Sequence, residues 1–316
     1  MAGQDTGGQA AKLTRAFNEF CPEHTMKSFS FSNPLGYHST DFIKEQRETG
    51  EIASFISEAD IIHVHNKFWY ADYWFSKYNV KPRPNAAWVF HQHGRNHNVD
   101  YATIMRERQS LHIVSTHDLL PYVNGDISLW LPAPFDSREF DIVSKNNNKL
   151  SASDGIIRVC QSPTDRHRKN TDGFISIMEK VKSKLNNVDI VIIENMKNDE
   201  CIKTKSLCDI TFDQIGLAMG NSGIEAMFLR QPVIVGSSDN TLSLTKKING
   251  SLPFVSANWN TACDDIIRLC SYPRIRKRCG DAGRLYVEKF HDYPANVKIV
   301  LGIYNKALKL KSRSLR

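Results

Sequence analysis

The stretch IIRVCQSPTDRHRKNTDGFISIMEKVK spans residues 156–182 and places an apolar strand, a basic loop and an amphipathic helix in direct succession. Residues 156–160 are mostly apolar and β-branched, as in strands that are buried on both faces of a sheet. After the loop, apolar side chains recur at helical spacing at Phe174, Met178, Val181 and Leu185. A strand, a loop and a helix in this order form the repeating unit of a parallel α/β sheet.

Continuous apolar runs of the same kind recur along the chain and are separated by helical stretches. They predict further strands at residues 61–65, 88–91, 112–115, 129–131, 188–193, 210–212 and 232–235. A helix is predicted before the first of these strands, from the periodic positions Leu13, Ala16, Phe17 and Phe20. The fold class is therefore predicted to be α/β throughout, with mostly helical structure from residue 262 onward.

A polar stretch with two prolines, residues 132–154, predicts a boundary between two domains. Because strand–helix units occur on both sides, we expect two Rossmann-like domains that face each other across a central cleft. The predicted limits are residues 1–136, a linker at 137–153, a second domain at 154–292, and a C-terminal helix with a basic tail at 293–316. A Rossmann-type strand is expected before Gly7, but almost nothing precedes it, so either the sequence starts short of this strand or the strand is missing.

The overall composition is that of a soluble globular protein and excludes collagen-like, low-complexity and wholly disordered chains. The 316 residues include 41 basic and 34 acidic side chains, a formal net charge of +7, and 41% are hydrophobic. No apolar run is long enough to span a membrane, and the N-terminal residues lack a secretory pattern. Seven cysteines without a C-x-x-C pair favour free thiols. These features predict a cytoplasmic protein.

The charge is unevenly distributed along the chain. Residues 1–150 hold 15 basic and 17 acidic side chains, a net charge of −2, whereas residues 151–316 hold 26 and 17, a net charge of +9. A basic half suits nucleic acid, an acidic membrane surface or a phosphorylated small molecule. Composition alone does not choose among these partners.

Two adjacent glycines, Gly7 and Gly8, come directly before the predicted helix of Leu13. Glycines at this place let backbone N–H groups approach an anion closely, and the helix dipole adds attraction. The alternative interpretation is a glycine-rich turn at a frayed terminus.

Three cations lie within four residues of the loop that follows the strand predicted at residues 156–160. They are Arg166, Arg168 and Lys169. Such a cluster suits a diphosphate, because each cation forms charge-assisted hydrogen bonds with phosphate oxygens. The alternative is a solvated basic loop.

Small residues open another predicted helix at Gly220, Asn221 and Ser222, and Glu225 follows on its first turn. Free backbone N–H groups there suit phosphate oxygens, while Glu225 can accept hydrogen bonds from two vicinal hydroxyls. The alternative is an ordinary capped helix with a glutamate near its positive end.

Taken together, these segments resemble the GT-B retaining glycosyltransferases of the glycosyl transferases group 1 type (family 4-like). The resemblance covers nearly the whole chain. Its segments are the Gly7–Gly8 loop, ADIIHVHN (59–66), LWLPAPFD (129–136), SPTDRHRKNTDG (162–173) and DITFDQIGLAMGNSGIEAMFLRQPVIVG (209–236). It implies a GT-B architecture and an enzyme that moves a sugar from a nucleoside diphosphate, by default UDP, to an acceptor with retention of configuration.

The resemblance also implies functional residues. Those expected to bind substrate are Gly7, Gly8, Asp213, Gly220, Asn221, Ser222 and Glu225. Those expected to be catalytic are His91, His93, Arg166 and Lys169. The glycines of the first loop would lie against the donor phosphates. Arg166 and Lys169 would neutralise the departing diphosphate, Asn221 and Ser222 would donate backbone N–H groups to it, and Glu225 would hold the ribose. His91 or His93 would face the transferred sugar.

The sequence departs from the family at Leu217, where many members have a second glutamate that contacts the donor sugar. Asp213 or a backbone amide is the candidate replacement. No Asp-x-Asp-like motif lies beside a predicted strand end, so no metal and no cofactor other than the nucleotide-sugar substrate is expected. The cations near Lys169 would take the place of a divalent ion.

Two other functions remain open. The pairs His63/His65 and His91/His93, with His97, His112 and His117 elsewhere, are compatible with a zinc-dependent hydrolase that would take Asp118 as a carboxylate ligand. The basic second half is compatible with a nucleic-acid-binding protein, although no recognisable nucleic-acid-binding motif accompanies it.

The acceptor is not identified by the sequence, which leaves a glycan, a lipid-linked glycan or DNA as candidates. Residues 306–316 contain five basic residues and no acidic one. This tail could hold an acidic acceptor or make a peripheral contact with an anionic membrane surface.

Overall fold

The computed structural model describes residues 1–2, 7–31, 40–43, 50–94 and 100–314. The chain divides into two compact units, one formed by Met1–Phe135 with Tyr293–Arg316 and the other by Asp136–Asp292. Both are mixed α/β units with parallel strands, as the sequence predicts.

The first unit has a parallel three-stranded sheet in the order β3-β4-β5, and a parallel pair β1-β2, within its described residues. Its strands are β1 (Phe29–Ser30), β2 (Phe42–Ile43), β3 (Ile61–His65), β4 (Ala87–Gln92) and β5 (Ser110–Val114). Its helices are α1 (Gln9–Phe20), α2 (Gly50–Glu58), α3 (Trp69–Tyr78) and α4 (Tyr101–Glu107), with 3₁₀ turns at His117–Val123 and Ile127–Leu129.

Helices cover both faces of this sheet. On one face, α1 packs with the last helix of the chain, Tyr293–Ser314, against Val89 and Ile113. On the other face, α2 and α3 pack against Ile62, Val64 and Phe90. Because side chains of a strand alternate between faces, the continuous apolar runs supply both cores.

Met1 and Ala2 lie between β1 and β3 through backbone hydrogen bonds. The Ala2 N–H donates to the Phe29 carbonyl at 2.8 Å, and the His65 N–H donates to the Met1 carbonyl at 2.9 Å. Met1 and Ala2 thus lie where a strand is expected before Gly7.

The second unit is built on a parallel five-stranded sheet in the order β10-β9-β8-β6-β7. Its strands are β6 (Ile157–Gln161), β7 (Val188–Ile192), β8 (Ile210–Ile215), β9 (Val233–Gly236) and β10 (Val255–Ser256). Its helices are α5 (Ser137–Asn146), α6 (Ser151–Asp154), α7 (Thr171–Lys182), α8 (Asn198–Ser206), α9 (Asn221–Phe228), α10 (Asp239–Asn249), α11 (Ala262–Ser271) and α12 (Pro273–Phe290). The last helix, which belongs to the first unit, is α13 (Tyr293–Ser314).

The core of the second unit again follows from continuous apolar strands. Val159 and Phe212 point to the face that α7 and α11 cover, through Phe174 and Ile266 among others. Cys160 points to the opposite face, where it packs with Ile193 and Cys208. All seven cysteines are free thiols.

Two predicted elements differ from the structure. The linker predicted at residues 137–153 instead forms α5 and α6, which belong to the second unit, because Phe140 buries its ring against Phe228. The strand predicted at residues 129–131 is a 3₁₀ turn followed by a single bridge from Trp130 to Val114. The two domain limits near residues 136 and 292 lie beside the boundaries of the compact units, but residues 293–316 belong to the first unit.

No helix among the described residues combines the length and hydropathy needed to cross a bilayer.

Candidate functional site

The second unit contains a topological switch point at the carboxyl end of β6. From β6 the chain leads to β7 on one side, and β8 then lies on the other side of β6. In open parallel sheets the loops diverge at such a point and leave a crevice where ligands bind. The basic loop after β6 and the loop between β8 and α9 both start at this edge.

Lys169, Asp213 and Gly220 come together at this switch point. The Lys169 Nζ lies 2.6 Å from Asp213 Oδ1, and the Gly220 N–H donates to Asp213 Oδ2 at 2.7 Å. The Asp213 side chain is fully buried, whereas that of Lys169 is 13% exposed. One carboxylate therefore anchors both a cation and the start of α9, while the ammonium keeps N–H groups for a ligand.

A bulge in β8 directs the Asp213 carboxylate to this position. Phe212 pairs with Ile234 and Gln214 pairs with Val235, so Asp213 is the extra residue on its strand. An extra residue turns the local backbone and re-aims its side chain. A Cβ on Gly220 would lie 3.2 Å from the Lys169 Nζ, so a glycine keeps this approach open.

A second polar network lies beneath the first turn of α9. The Ser162 and Ser222 hydroxyls are 2.6 Å apart and link the loop after β6 to α9. The Lys205 Nζ, on α8, lies 2.7 Å from Glu225 Oε2 and 3.3 Å from both the Ser222 carbonyl and hydroxyl oxygens. The Asn198 amide donates to Glu225 Oε1 at 3.3 Å. Glu225, expected to hold a ribose, is thus engaged by two residues of α8.

Lys205 is fully buried and remains a cation. Burial by itself lowers the pKa of a lysine, but the adjacent Glu225 carboxylate raises the pKa of Lys205 above its ordinary value. Lys205 therefore stays protonated across the physiological range.

Arg166 pairs with other carboxylates than Asp213. Its guanidinium is about half exposed and pairs with Glu194 at 2.8 Å and with Asp172 at 3.4 Å. Arg168 is exposed, and its backbone N–H donates to Asp165. Of the three clustered cations, only Lys169 is anchored by a buried carboxylate.

The remaining predicted residues of this unit lie at the start of α9. Gly220 precedes the helix, and Asn221 and Ser222 form its first turn. Leu217, where the resemblance implies a glutamate, is exposed in the loop before them. Asp213 accepts one hydrogen bond from Lys169 and one from Gly220, so in this structure its carboxylate positions these two residues.

Gly7 and Gly8 belong to the first unit, where Gly8 precedes α1. Gly8 is buried and has a φ of 63°, a left-handed conformation that glycine adopts without strain. The residues before them, Asp5 and Thr6, lie outside the described residues, as does His97.

Four histidines cluster at the carboxyl ends of β3 and β4. His65 Nδ1 lies 2.7 Å from His93 Nε2, and the rings of His91 and His93 are 4.0 Å apart between centroids. Loss of hydration lowers the pKa of His63, His65 and His91 well below the ordinary value and that of His93 to about 4. The cluster is therefore neutral near pH 7, and His91 is only 3% exposed.

The ring nitrogens of His63, His65 and His91 lie within 4.8 Å of one another, which is compatible with a metal ion. This group of described residues includes no carboxylate. Asp118, the ligand that a zinc hydrolase would need, accepts a hydrogen bond from Thr116 at 2.6 Å. The arrangement does not favour the hydrolase.

Solved structures with the same architecture cover nearly the whole chain. A glycosyltransferase from Rickettsia africae ESF-5 matches with a TM-score of 0.60 and 14% identity, over 98% of each chain. The chain has the GT-B fold. The Anabaena protein HepE, whose structure contains UDP and glucose, matches with a TM-score of 0.59 and 11% identity, over 95% of this chain and 97% of that one.

A Listeria monocytogenes protein described as a candidate UDP-N-acetylglucosamine 2-epimerase also matches, with a TM-score of 0.56 and 11% identity. The alignment covers 95% of this GT-B chain and 94% of that one. No protein-family model and no curated protein matches the sequence. At such low identities the similarity shows the fold, and the chemistry has to be argued from this chain's own residues.

Sequence reasoning missed Lys205 and Asn198, the partners of Glu225. The segment NDECIKTKS that forms α8 has the composition of an exposed helix, and nothing in it distinguishes Lys205 from Lys203. A weak signal was available, because Lys205 comes shortly before the strand predicted at residues 210–212 and therefore lies near the core.

Proposed function

We propose that this chain is a glycosyltransferase that moves a sugar from a nucleoside diphosphate to an acceptor. UDP is the proposed nucleotide, the anomeric configuration is retained, and no metal ion takes part. The observation that carries the proposal is the anchored Lys169 at the switch point of a GT-B fold.

The charges at this edge fit the transition state of sugar transfer. As the bond between the anomeric carbon and the phosphate oxygen breaks, positive charge builds on the sugar and negative charge on the leaving diphosphate. The Lys169 ammonium and the N–H groups that open α9 stabilise that negative charge. Because Asp213 already holds Lys169 and Gly220, these donors need little reorganisation during the reaction. They supply the charge stabilisation that a divalent cation provides in other transferases.

Each of the other predicted residues has a role in this proposal. Glu225 accepts hydrogen bonds from the ribose, Arg166 approaches the diphosphate from the more exposed side, and Gly7 and Gly8 bind donor phosphates through their N–H groups. His93, which is less buried than His91, faces the transferred sugar. Its low pKa makes it a hydrogen-bonding neutral imidazole near pH 7.

The acceptor is proposed to carry negative charge. The last turns of α13 expose Lys309 and Arg313, while Lys306 and Lys311 hydrogen-bond Ser128 and Gln109. Replacing Lys309 and Arg313 with glutamine leaves the buried positions of α13 intact. We expect this variant to bind UDP as the wild type does and to bind phosphatidylserine vesicles or duplex DNA more weakly than the wild type. If the variant binds the vesicles and the DNA as tightly as the wild type, the tail is an ordinary solvated terminus.

The test is a screen of UDP-, GDP- and ADP-sugars in the presence of EDTA. We expect slow release of UDP from a UDP-sugar, detected by a coupled assay, and no need for added metal. Nuclear magnetic resonance of the sugar distinguishes transfer or hydrolysis from epimerisation, the reaction named in the description of the Listeria protein. Asp213→Asn should reduce UDP release strongly, whereas Asp189→Asn, at an exposed ion pair with Lys182, should not. Epimerised sugar without UDP release, or no turnover of any donor, would overturn the proposal.

A further inference from the structure

Lys205 is among the largest fully buried side chains of the protein. Burying an ammonium costs several kcal/mol unless its three N–H groups find acceptors. They find the Glu225 carboxylate and the carbonyl and hydroxyl oxygens of Ser222, all within 3.3 Å. The cation is therefore fully satisfied by two residues of the first turns of α9.

The contacts of Glu225 leave part of its hydrogen-bonding capacity unused. Oε2 accepts from Lys205 and Oε1 accepts from Asn198, and each carboxylate oxygen can accept two hydrogen bonds. One accepting position per oxygen thus remains. Two accepting positions on one rigid carboxylate match two vicinal hydroxyls, one to each oxygen.

A buried ion pair is a weak source of stability, because the cost of removing both charges from water offsets their attraction. Replacing a buried ion pair by apolar side chains of similar volume is often neutral or stabilising. The pair does give Glu225 a counter-ion at 2.7 Å, and together with Asn198 it fixes the orientation of the carboxylate plane. A buried carboxylate without a counter-ion takes up a proton and then donates at one oxygen instead of accepting.

We propose that Lys205 is a positioning residue that, with Asn198, holds the Glu225 carboxylate ready to accept both ribose hydroxyls of the donor. Lys205 thereby determines the discrimination against deoxyribonucleotides without touching them. This inference rests on the proposed function, since it concerns the same donor site.

The experiment compares binding of UDP with binding of 2′-deoxy-UDP and 3′-deoxy-UDP by calorimetry. If UDP is not the tightest of UDP, GDP and ADP, the tightest nucleotide and its deoxy analogues take its place. The variants are Lys205→Met, Asn198→Ala and the matched control Lys203→Met, which changes an exposed lysine of the same helix. Hydrogen bonds to a charged group predict a wild-type preference for the ribonucleotide of about tenfold to hundredfold.

We expect Lys205→Met to reduce this preference to less than about threefold, because its UDP affinity falls to that of the deoxy analogues. Asn198→Ala should give an intermediate preference, and Lys203→Met should match the wild type. A residue that only supports folding would weaken all nucleotides equally and leave the preference intact. Asn198 is partly exposed, so its variant provides the test if Lys205→Met does not fold.

The outcomes separate the two proposals. If the wild type binds none of the nucleotides, the proposed function fails and the inference fails with it. If the wild type prefers ribonucleotides and Lys205→Met or Asn198→Ala keeps the full preference, the role of these residues is refuted while the proposed function stands. A wild type that binds UDP and its deoxy analogues equally also refutes the inference alone.

Discussion

Replacing Lys169 with glutamine removes the one clustered cation that a buried carboxylate holds in place. The Lys169 Nζ lies 2.6 Å from Asp213 Oδ1, and the Asp213 side chain is fully buried. A glutamine amide can still donate to Asp213, so the carboxylate keeps a partner but loses its counter-ion. Breaking a buried pair outright costs about 3–5 kcal/mol, and we expect about 2 kcal/mol of lost unfolding free energy for this milder change.

The effect on catalysis should be larger than the effect on stability. Loss of one preorganised donor to a developing negative charge typically lowers kcat by about a hundredfold to a thousandfold. We therefore expect Lys169→Gln to lower the rate of UDP release by about that factor, with the folded state still dominant at 25 °C. The measurements are kcat from a continuous UDP-release assay and unfolding in urea.

The matched control is Lys182→Gln, which removes a lysine from an exposed pair with Asp189 at 2.9 Å. Exposed pairs contribute less than about 1 kcal/mol, so both the rate and the stability should stay near those of the wild type. A kcat for Lys169→Gln within about threefold of the wild-type value, far above the hundredfold loss expected for a leaving-group donor, would refute the role of Lys169.

Three further results are expected. Arg166→Ala should lower the rate by only about tenfold, because its half-exposed guanidinium is shared with Glu194; a larger loss than that of Lys169→Gln in the same assay would reverse the assigned roles. The first unit should lose stability as the pH falls from 6.5 towards 4. Loss of hydration holds the pKa of His93 and His112 at about 4, so below pH 6.5 the unfolded chain binds more protons than the folded one. Urea unfolding at pH 7.5 and pH 5 measures this, and equal stability would contradict the assigned burial. Purified protein should contain substoichiometric zinc by elemental analysis, whereas one zinc per chain would favour a metal site at His63, His65 and His91.

The local pattern of apolar residues was sufficient to predict most strands of the two larger sheets. Continuous apolar runs predicted β3, β4 and β5 in the first unit and β6 to β9 in the second to within a few residues. The failure at residues 129–131 has a physical reason. Such a short apolar run is buried equally well in a turn, and Trp130 uses its side chain to donate a hydrogen bond to the Ser115 carbonyl. The polar run 144–149 likewise predicted a linker, whereas Phe140, a few residues earlier, packs against Phe228 and holds α5 on the second unit.

The loops that carry the chemistry can be located from the amino-acid sequence, because Lys169 and Gly220 follow strands that their apolar residues reveal. The contacts of those residues depend on three-dimensional packing. The bulge that turns Asp213 towards Lys169 depends on pairing with β9, and the burial of Lys205 beneath Glu225 depends on how α8 packs against α9. Neither is encoded in a local pattern, since an ion pair between residues 20 positions apart forms only when the sheet brings their helices together.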